Sequence, residues 1–435
     1  MSNYALINCN MIDGVNSGVS SNMTILVRDG IIADIGKSNE LKASPDYKII
    51  DVGDRYVMPG IINAHVHLLA SGKPMKASAG GKDQDRLIKL TKTPLGHMLV
   101  NSMVKKHAVA ALNSGVTTMR CVGDILYSDV KLRDLIENGK VEGARLLVSG
   151  PLICPTGGHG QALGVIADSP WEVRKLARKN IFEQVDLIKI CSTGGVTDAK
   201  KLGDAGRLEM TLEEITAACE EAHKAGMMVA SHTQSKEGVR LALQGGVDTI
   251  EHGAPFDDEI IELFLHNPKS LRGYSCLVPT LIPAIAIGKL DSSRTHMKQV
   301  HIDNSEIIYK GMVEGMKRAL EAGVKVGLGT DASCPFVTHY NTWRELDCVV
   351  KFAGLSPEQA IHNATRANAE ILGIEDITGT LERGKCSDII VLEKNPLEDL
   401  STLSKVSMVI TGKTFIENPS FKAFPEVDEA LETIL

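Results

Sequence analysis

The chain has 435 residues, too many for one small core, and its 43% apolar and 23% charged content is ordinary for a globular protein. A net charge of −7 and a pI near 6.0 argue against nucleic acid or an anionic membrane as the main partner. Nine cysteines without CxxC spacing read as reduced thiols or small core residues.

Residues 3–57 carry short β-rich runs, Tyr4–Ile7, Met23–Val27, Gly30–Ile35 and Lys48–Val52, separated by turn residues such as Asp13-Gly14, Asp29-Gly30 and Gly53-Asp54. Met1–Asn10 lacks the pattern of a signal peptide, so a cytoplasmic location is the default expectation. A second β-rich set returns at Ser387–Leu392, Ser407–Ile410 and Thr414–Ile416. Two such ends suggest one small β-sandwich assembled from both termini, residues 1–57 and 376–435.

The middle, 58–375, alternates apolar runs with longer helical patterns. That is the signature of a parallel sheet with crossover helices. Strands are expected at Val57–His67, Val116–Val122, Arg145–Ser149, Leu187–Cys191, Met228–His232, Thr249–Glu251, Tyr274–Pro279 and Lys325–Thr330. Helices are expected at Leu99–Ser114, Trp171–Gln184, Leu212–Ala225, Lys236–Gln244, Asp258–Leu265 and Ile302–Ala322. Four pairs, Gly115-Val116, Gly226-Met227, Gly246-Val247 and Gly323-Val324, fit a helix stop followed by a strand start. Eight strands with helices between them suggest a (β/α)8 TIM barrel with insertions, in a fold of α/β class. Ser71–Thr93 and the Gly-rich Pro155–Ser169 read as inserted loops on the face where barrel enzymes build their sites. The longest apolar-rich stretch, Leu277–Ile287 with Pro279 and Pro283, is shorter than the about 20 residues that span a bilayer. The acidic end, Glu426–Leu435, is a helix or a tail.

Polar side chains stand at the ends of five expected strands. His65 and His67 lie two apart, so a strand puts them on one face, where they can share a divalent cation or sit as satisfied core histidines. Lys189 lies inside a buried strand, a rare position for an unpaired lysine. Desolvation would lower its pKa and leave an amine able to take up CO2 as a carbamate. His232, His252 and Asp331 end the fifth, sixth and eighth strands; Asp331 alone could equally be a helix N-cap. Glu251, next to His252, is expected to point the other way. His97, His107 and His223 read as packing or helix-surface residues. Cys121, Cys191 and Cys334 do not read as nucleophiles.

HxH on the first strand, Lys on the fourth, His on the fifth and sixth, and Asp on the eighth resemble the binuclear amidohydrolase superfamily. So do the contexts Met58-Pro59-Gly60-Ile61-Ile62-Asn63-Ala64-His65-Val66-His67, Ser192-Thr193-Gly194-Gly195-Val196, Asn363-Ala364-Thr365-Arg366-Ala367-Asn368-Ala369 and Gly379-Thr380-Leu381-Glu382-Arg383-Gly384-Lys385. The branch it resembles contains imidazolonepropionase-like and Xaa-Pro dipeptidase-like proteins. The resemblance implies two divalent metal ions, Zn2+ by donor type, held by His65, His67 and Asp331 and by His232 and His252. It also implies a carboxylated Lys189 and a hydroxide bridging the two ions. It implies that the hydroxide attacks the amide C–N bond of a dipeptide or N-acyl amino acid, with Asp331 shuttling the proton. His159, in Thr156-Gly157-Gly158-His159-Gly160, would contact the substrate. Gln234 replaces the Tyr that dipeptidase-like members often carry two residues after the fifth-strand His, so His159 and Gln234 together would stabilise the oxyanion. A cyclic-amide hydrolase is the alternative; a deaminase and a non-catalytic binding protein rank behind it. Partners are a small-molecule substrate and, by resemblance, further copies of the chain, with neither nucleic acid nor membrane. Arg120, Arg344 and His339 are candidates to hold a substrate carboxylate, although Arg120 could instead form a salt bridge inside the barrel.

Overall fold

The computed structural model describes residues 3–74, 91, 93–412 and 414–435. Most of the Ser71–Thr93 insertion therefore lies outside the described residues.

Both β-rich ends enter one eight-stranded sheet. The first end supplies β1 (Tyr4–Met11), β2 (Ser20–Arg28), β3 (Ile31–Lys37), β4 (Lys48–Asp51) and β5 (Tyr56–Pro59). The far end supplies β15 (Ile389–Leu392), β16 (Met408–Ile410) and β17 (Phe415–Glu417). The order is β17-β16-β15-β5-β1-β2-β3, with β4 on β1. The junction is the antiparallel pairing of β15 with β5, where Ile389 faces Pro59 and Val391 faces Val57. Alternate residues of these strands enclose a core of their own: Leu6, Ile25, Ile32, Val57, Ile389 and Ile410 are all buried in one cluster.

The middle strands are parallel. β6 (Ile61–Val66), β7 (Val116–Cys121) and β8 (Arg145–Val148) form one sheet. β9 (Leu152–Cys154), β10 (Gly164–Ile166), β11 (Leu187–Cys191), β12 (Met228–Thr233), β13 (Thr249–His252) and β14 (Cys276–Val278) form another, in the order β10-β9-β11-β12-β13-β14. β6, β7, β11 and β13 are buried along their whole length, as parallel strands covered on both faces must be. Backbone hydrogen bonds link the two sheets on both sides. The Asp186 N–H reaches Val148 O at 2.7 Å on one side. On the other side the segment 325–332 lies between β14 and β6: Leu277 N–H donates to Lys325 O at 3.0 Å, and Asp331 N–H to His65 O at 2.8 Å.

That segment departs from the expected strand Lys325–Thr330, because only isolated bridges form there, at Val326 and Ala332. The cause is side-chain substitution for the ladder. The Asn368 carboxamide accepts from Leu328 N–H at 2.9 Å and donates to Ile62 O and Leu328 O at 2.7 and 2.8 Å. Gly327 makes room for it, since a Cβ there would stand 2.1 Å from Asn368 Oδ1. Asn63 ties the same seam, accepting from Thr330 N–H at 3.1 Å.

The expected helices form, each within a few residues of its predicted limits, and their caps explain the starts. Thr211 and Glu214 make a reciprocal capping box, while Ser169, Ser235 and Asp257 each accept an N–H of the first turn. Several helices had no sequence forecast, among them Ser128–Glu137 and Leu281–Lys289. Ser128–Glu137 is short, and Leu281–Lys289 is apolar on all sides, so it carries no 3.6-residue contrast to read. The Gly-rich Pro155–Ser169 is not wholly loop: it contains β10, paired with β9. The acidic end is a helix, Pro425–Glu432. No helix among the described residues is long and apolar enough to cross a membrane.

Candidate metal centre

Five imidazoles converge at the C-terminal ends of the parallel strands. Ring centroids stand 5.5 Å apart for His65–His67, 4.9 Å for His65–His252, 4.4 Å for His232–His252 and 4.1 Å for His159–His232. Asp331 closes the first group: its Oδ1 lies 3.5 Å from His65 Nε2 and 3.2 Å from His67 Nε2. Ligand atoms of His65, His67 and Asp331 all fall within 4.8 Å of one another.

The partners of the rings decide which nitrogen each one presents. His65 donates Nδ1–H to Glu251 Oε2 at 2.6 Å, and His67 donates Nδ1–H to Gly123 O at 2.8 Å. Both therefore turn Nε2 towards Asp331. Two Nε2 lone pairs and a carboxylate aimed at one point need a cation between them, a proton or a metal ion. His252 Nδ1 is hydrogen-bonded to Thr280 Oγ1 at 2.7 Å. His232 Nε2 is buried and has no hydrogen-bond partner, an orphaned donor atom among rings that already have theirs. These donors fit divalent cations.

Electrostatics point the same way. Burial, followed by the neighbouring rings, holds His232 and His252 far below the usual histidine range, so both are neutral, the form that ligates a metal. Burial also lowers Lys189, against the opposing pull of Glu251. Burial works to raise the Asp331 carboxyl, yet its interactions with the neighbouring His65 and His67 rings hold it well below the usual carboxylate range. His252 and Asp331 both adopt left-handed backbone, φ +71° and +57°. Such strain costs about 1–3 kcal/mol per residue and gathers at functional sites.

Glu251 corrects the expectation that it points away from His252. By strand alternation it shares the inner face with Thr249, whose hydroxyl it accepts at 2.6 Å. The left-handed turn at His252 then brings that ring to the same side. Glu251 also takes Arg120 on both oxygens, at 2.7 and 2.8 Å. Arg120 thus forms the internal salt bridge and is not free for a substrate carboxylate. Arg344 lies over the Trp343 ring and 3.7 Å from Glu432, and His339 stacks on His107 at 4.7 Å and bonds Ala70 O. Among the described residues, neither of these two makes a ring contact with the histidine cluster.

His159 does. Its Nδ1 lies 2.5 Å from Asp198 Oδ2, and its backbone N–H donates to Glu209 Oε2 at 2.8 Å. Gly195 permits that position, because a Cβ there would stand 2.4 Å from the ring. Gln234 follows β12, and its buried Oε1 has no hydrogen-bond partner. Among the described residues, no hydrogen bond joins Gln234 to His159. Burial pushes the thiols of Cys121, Cys191 and Cys334 up, so all three stay protonated. Sequence reading missed Glu251, Asp198 and Thr280 as partners of the rings. Each lies far along the chain from the histidine it holds.

Known proteins are similar to this chain across nearly its whole length. A Bifidobacterium longum protein proposed to be a prolidase is 40% identical, with a TM-score of 0.88 over 100% of this chain and 99% of its own. A Xaa-Pro dipeptidase, solved with methionine in its active site, is 30% identical, with a TM-score of 0.81 over 96% of this chain and 100% of its own. The ochratoxinase of Aspergillus niger is 25% identical over 441 aligned positions, 93% of this chain and 85% of the relative. The sequence profile of the amidohydrolase family matches residues 56–414. That span takes in every histidine of the cluster, Lys189 and Asp331, and the chain belongs to the amidohydrolase family.

Proposed function

We propose that this amidohydrolase is a metal-dependent dipeptidase or carboxypeptidase, hydrolysing a dipeptide or N-acyl amino acid at the C–N bond of its C-terminal residue. The observation that carries the proposal is the two donor groups brought together at the strand ends, one of them with the orphaned His232 Nε2. His65, His67 and Asp331 would hold one divalent cation, and His232 and His252 a second. Lys189, carboxylated by CO2, would be their shared oxygen donor, and Zn2+ suits the imidazole and carboxylate set. Such a pair supplies Lewis acidity, lowering the pKa of water and polarising an acyl oxygen. The same reading makes residues 58–375 a closed (β/α)8 barrel, supported by the hydrogen bonds of segment 325–332 to β14 and β6. Residues 1–57 and 376–435 would then be the two parts of the β-sandwich.

The remaining steps fall to the chain's own side chains. Asp331 takes a proton from the attacking water and returns it to the leaving nitrogen. His159, held at Nδ1 by Asp198, presents Nε2 to the acyl oxygen as negative charge builds there, a role worth about 2.7–4 kcal/mol of barrier. The Gln234 carboxamide is the second donor to that oxygen. The dipeptidase reading is also supported by the two similar solved structures, one proposed to be a prolidase and one a Xaa-Pro dipeptidase.

The test is a mass-spectrometric screen of metal-loaded protein, with bicarbonate, against dipeptides, N-acyl amino acids and cyclic amides. A free C-terminal amino acid is expected. A gain of one water without fragmentation would instead identify a ring-opening hydrolase, and silence with two metals bound would put the substrate outside amino-acid derivatives. On the substrate so found, Asp331→Asn should lower kcat by about 10²–10⁴-fold. Near-wild-type turnover with metal bound would end the proton-shuttle assignment.

A further inference from the structure

The helix Leu281–Lys289 begins inside the molecule, and its first turn has an unusual donor inventory. Leu281, Ile282, Pro283 and Ala284 are all buried. A buried helix start must satisfy its free N–H groups. Pro283 has none at the third position, which leaves Leu281 and Ile282. The residue placed to cap them is Thr280, and threonine ordinarily does so with its hydroxyl. Here the Thr280 side chain makes no cap bond. Both N–H groups go instead to one carboxylate, Glu345: Leu281 N–H donates to Oε1 at 2.6 Å and Ile282 N–H to Oε2 at 2.8 Å. Glu345 comes from the helix Trp343–Cys348 and is fully buried. The Thr280 hydroxyl, relieved of capping, is hydrogen-bonded to His252 Nδ1 at 2.7 Å.

We propose that Glu345 is a positioning residue for His252: by capping the Leu281–Lys289 helix in place of Thr280, it frees the Thr280 hydroxyl to orient the His252 ring. The inference rests on the reading of His252 as a cation ligand. Outer partners of a ligating histidine fix its tautomer and ring angle, and losing one typically costs about 10–100-fold in metal affinity. Without Glu345, the Ile282 N–H is left unpaired in the core and the Thr280 hydroxyl is the acceptor nearest in sequence to it. The ring would then lose its partner to the helix.

The experiment uses the full chain, stripped of metal and reloaded with Co2+. Affinity is read by competition with a fluorescent chelator and ligand geometry by the visible Co2+ spectrum. Thr280→Val should weaken Co2+ binding by about tenfold or more, and Thr280→Ser should restore it. Glu345→Gln should reproduce the loss and the spectral change. Combining Glu345→Gln with Thr280→Val should add nothing further, because both act through one hydrogen bond. Full affinity in Glu345→Gln, or losses that multiply in the double variant, would overturn the proposal. Should Glu345→Gln fail to fold, Glu345→Asp is read the same way, its carboxylate one methylene short of the helix. His252→Ala separates the two levels. If it binds Co2+ as the wild type does, His252 is no ligand and both readings fall. If it loses Co2+ while Glu345→Gln does not, only the positioning role falls.

Discussion

At Gly195 one methyl group decides where the His159 ring can stand. An alanine Cβ would come within 2.4 Å of His159 Cε1 and Nδ1, so the ring would have to leave either Asp198 or the face of His232. Gly195→Ala should therefore lower kcat by about 10²-fold, the cost of misplacing a reacting group by about 1 Å. Metal content, measured by elemental analysis, should stay at the wild-type level, because the three atoms nearest a Cβ at position 195 all belong to His159, which is outside the proposed ligand set. The Arg120–Glu251–His65 chain is the opposite case, a residue whose loss reaches stability first. Arg120 and Glu251 are 1% and 0% exposed, and the Arg120 guanidinium holds the Glu251 carboxyl far below its usual range, against burial. Glu251→Gln leaves a buried guanidinium without its counter-charge, which should cost about 3–5 kcal/mol in urea unfolding. A loss under about 1 kcal/mol would mean that the Ala64 carbonyl and the Thr249 hydroxyl suffice for Arg120.

Between elements, charge and packing share the work. The helices Pro170–Phe182 and Leu212–Lys224 pack side by side, and Glu221 joins them through Arg174 at 2.9 Å and Arg178 at 2.8 Å. Hydrogen bonds from Arg178, opposed by burial and joined by Arg174, hold the Glu221 carboxyl at about 2. A carboxyl whose pKa is lower in the folded state stabilises the fold above its unfolded value of about 4.3 and loses that contribution as pH falls towards 2. The Tm difference between wild type and Glu221→Gln should accordingly be full at pH 7 and vanish between about pH 4.3 and 2. A difference independent of pH would show that Glu221 acts by packing alone. The seam at 325–332 shows why an element can be read from sequence and still differ in kind. Apolar Val324, Val326 and Leu328 announce a strand, but Gly327 and Gly329 admit Asn368 and His65 so closely that side-chain carboxamides replace part of the ladder.

Across the whole molecule, the two ends of the chain depend on each other. β15 is buried along its full length between β5 and β16, Tyr4 Oη donates to Ser387 Oγ at 3.0 Å, and Arg145 on β8 reaches the buried Asp388 at 2.7 Å. A chain ending at residue 375 would leave β5 as an open edge beside an uncovered apolar cluster. It should show no cooperative unfolding transition by circular dichroism, and supplying residues 376–435 as a separate chain should restore one. A cooperative transition in the truncated chain alone would show that the middle folds without the terminal sheet.

The order of apolar runs, the glycine helix stops and the polar residues at strand ends depend on near neighbours and on residue type, so they were legible from the sequence. That is why His65, His67, Lys189, His232, His252 and Asp331 could be picked out before any contact was known. What holds each ring was not legible, because a hydrogen-bond partner is chosen by proximity in space. Asp198 lies 39 residues from His159, Thr280 lies 28 from His252, and Glu345 caps a helix 64 residues before it. The fates of Arg120, Arg344 and His339 also belonged to the tertiary structure. A cation's availability for substrate depends on which acids and rings pack around it, and Glu251, Trp343 and His107 had already taken those three. Glu251 marks the boundary between the two kinds of information. Alternation along β13 assigns its face correctly from Thr249, but the left-handed backbone at His252 breaks the alternation one residue later, and only the folded chain sets that φ.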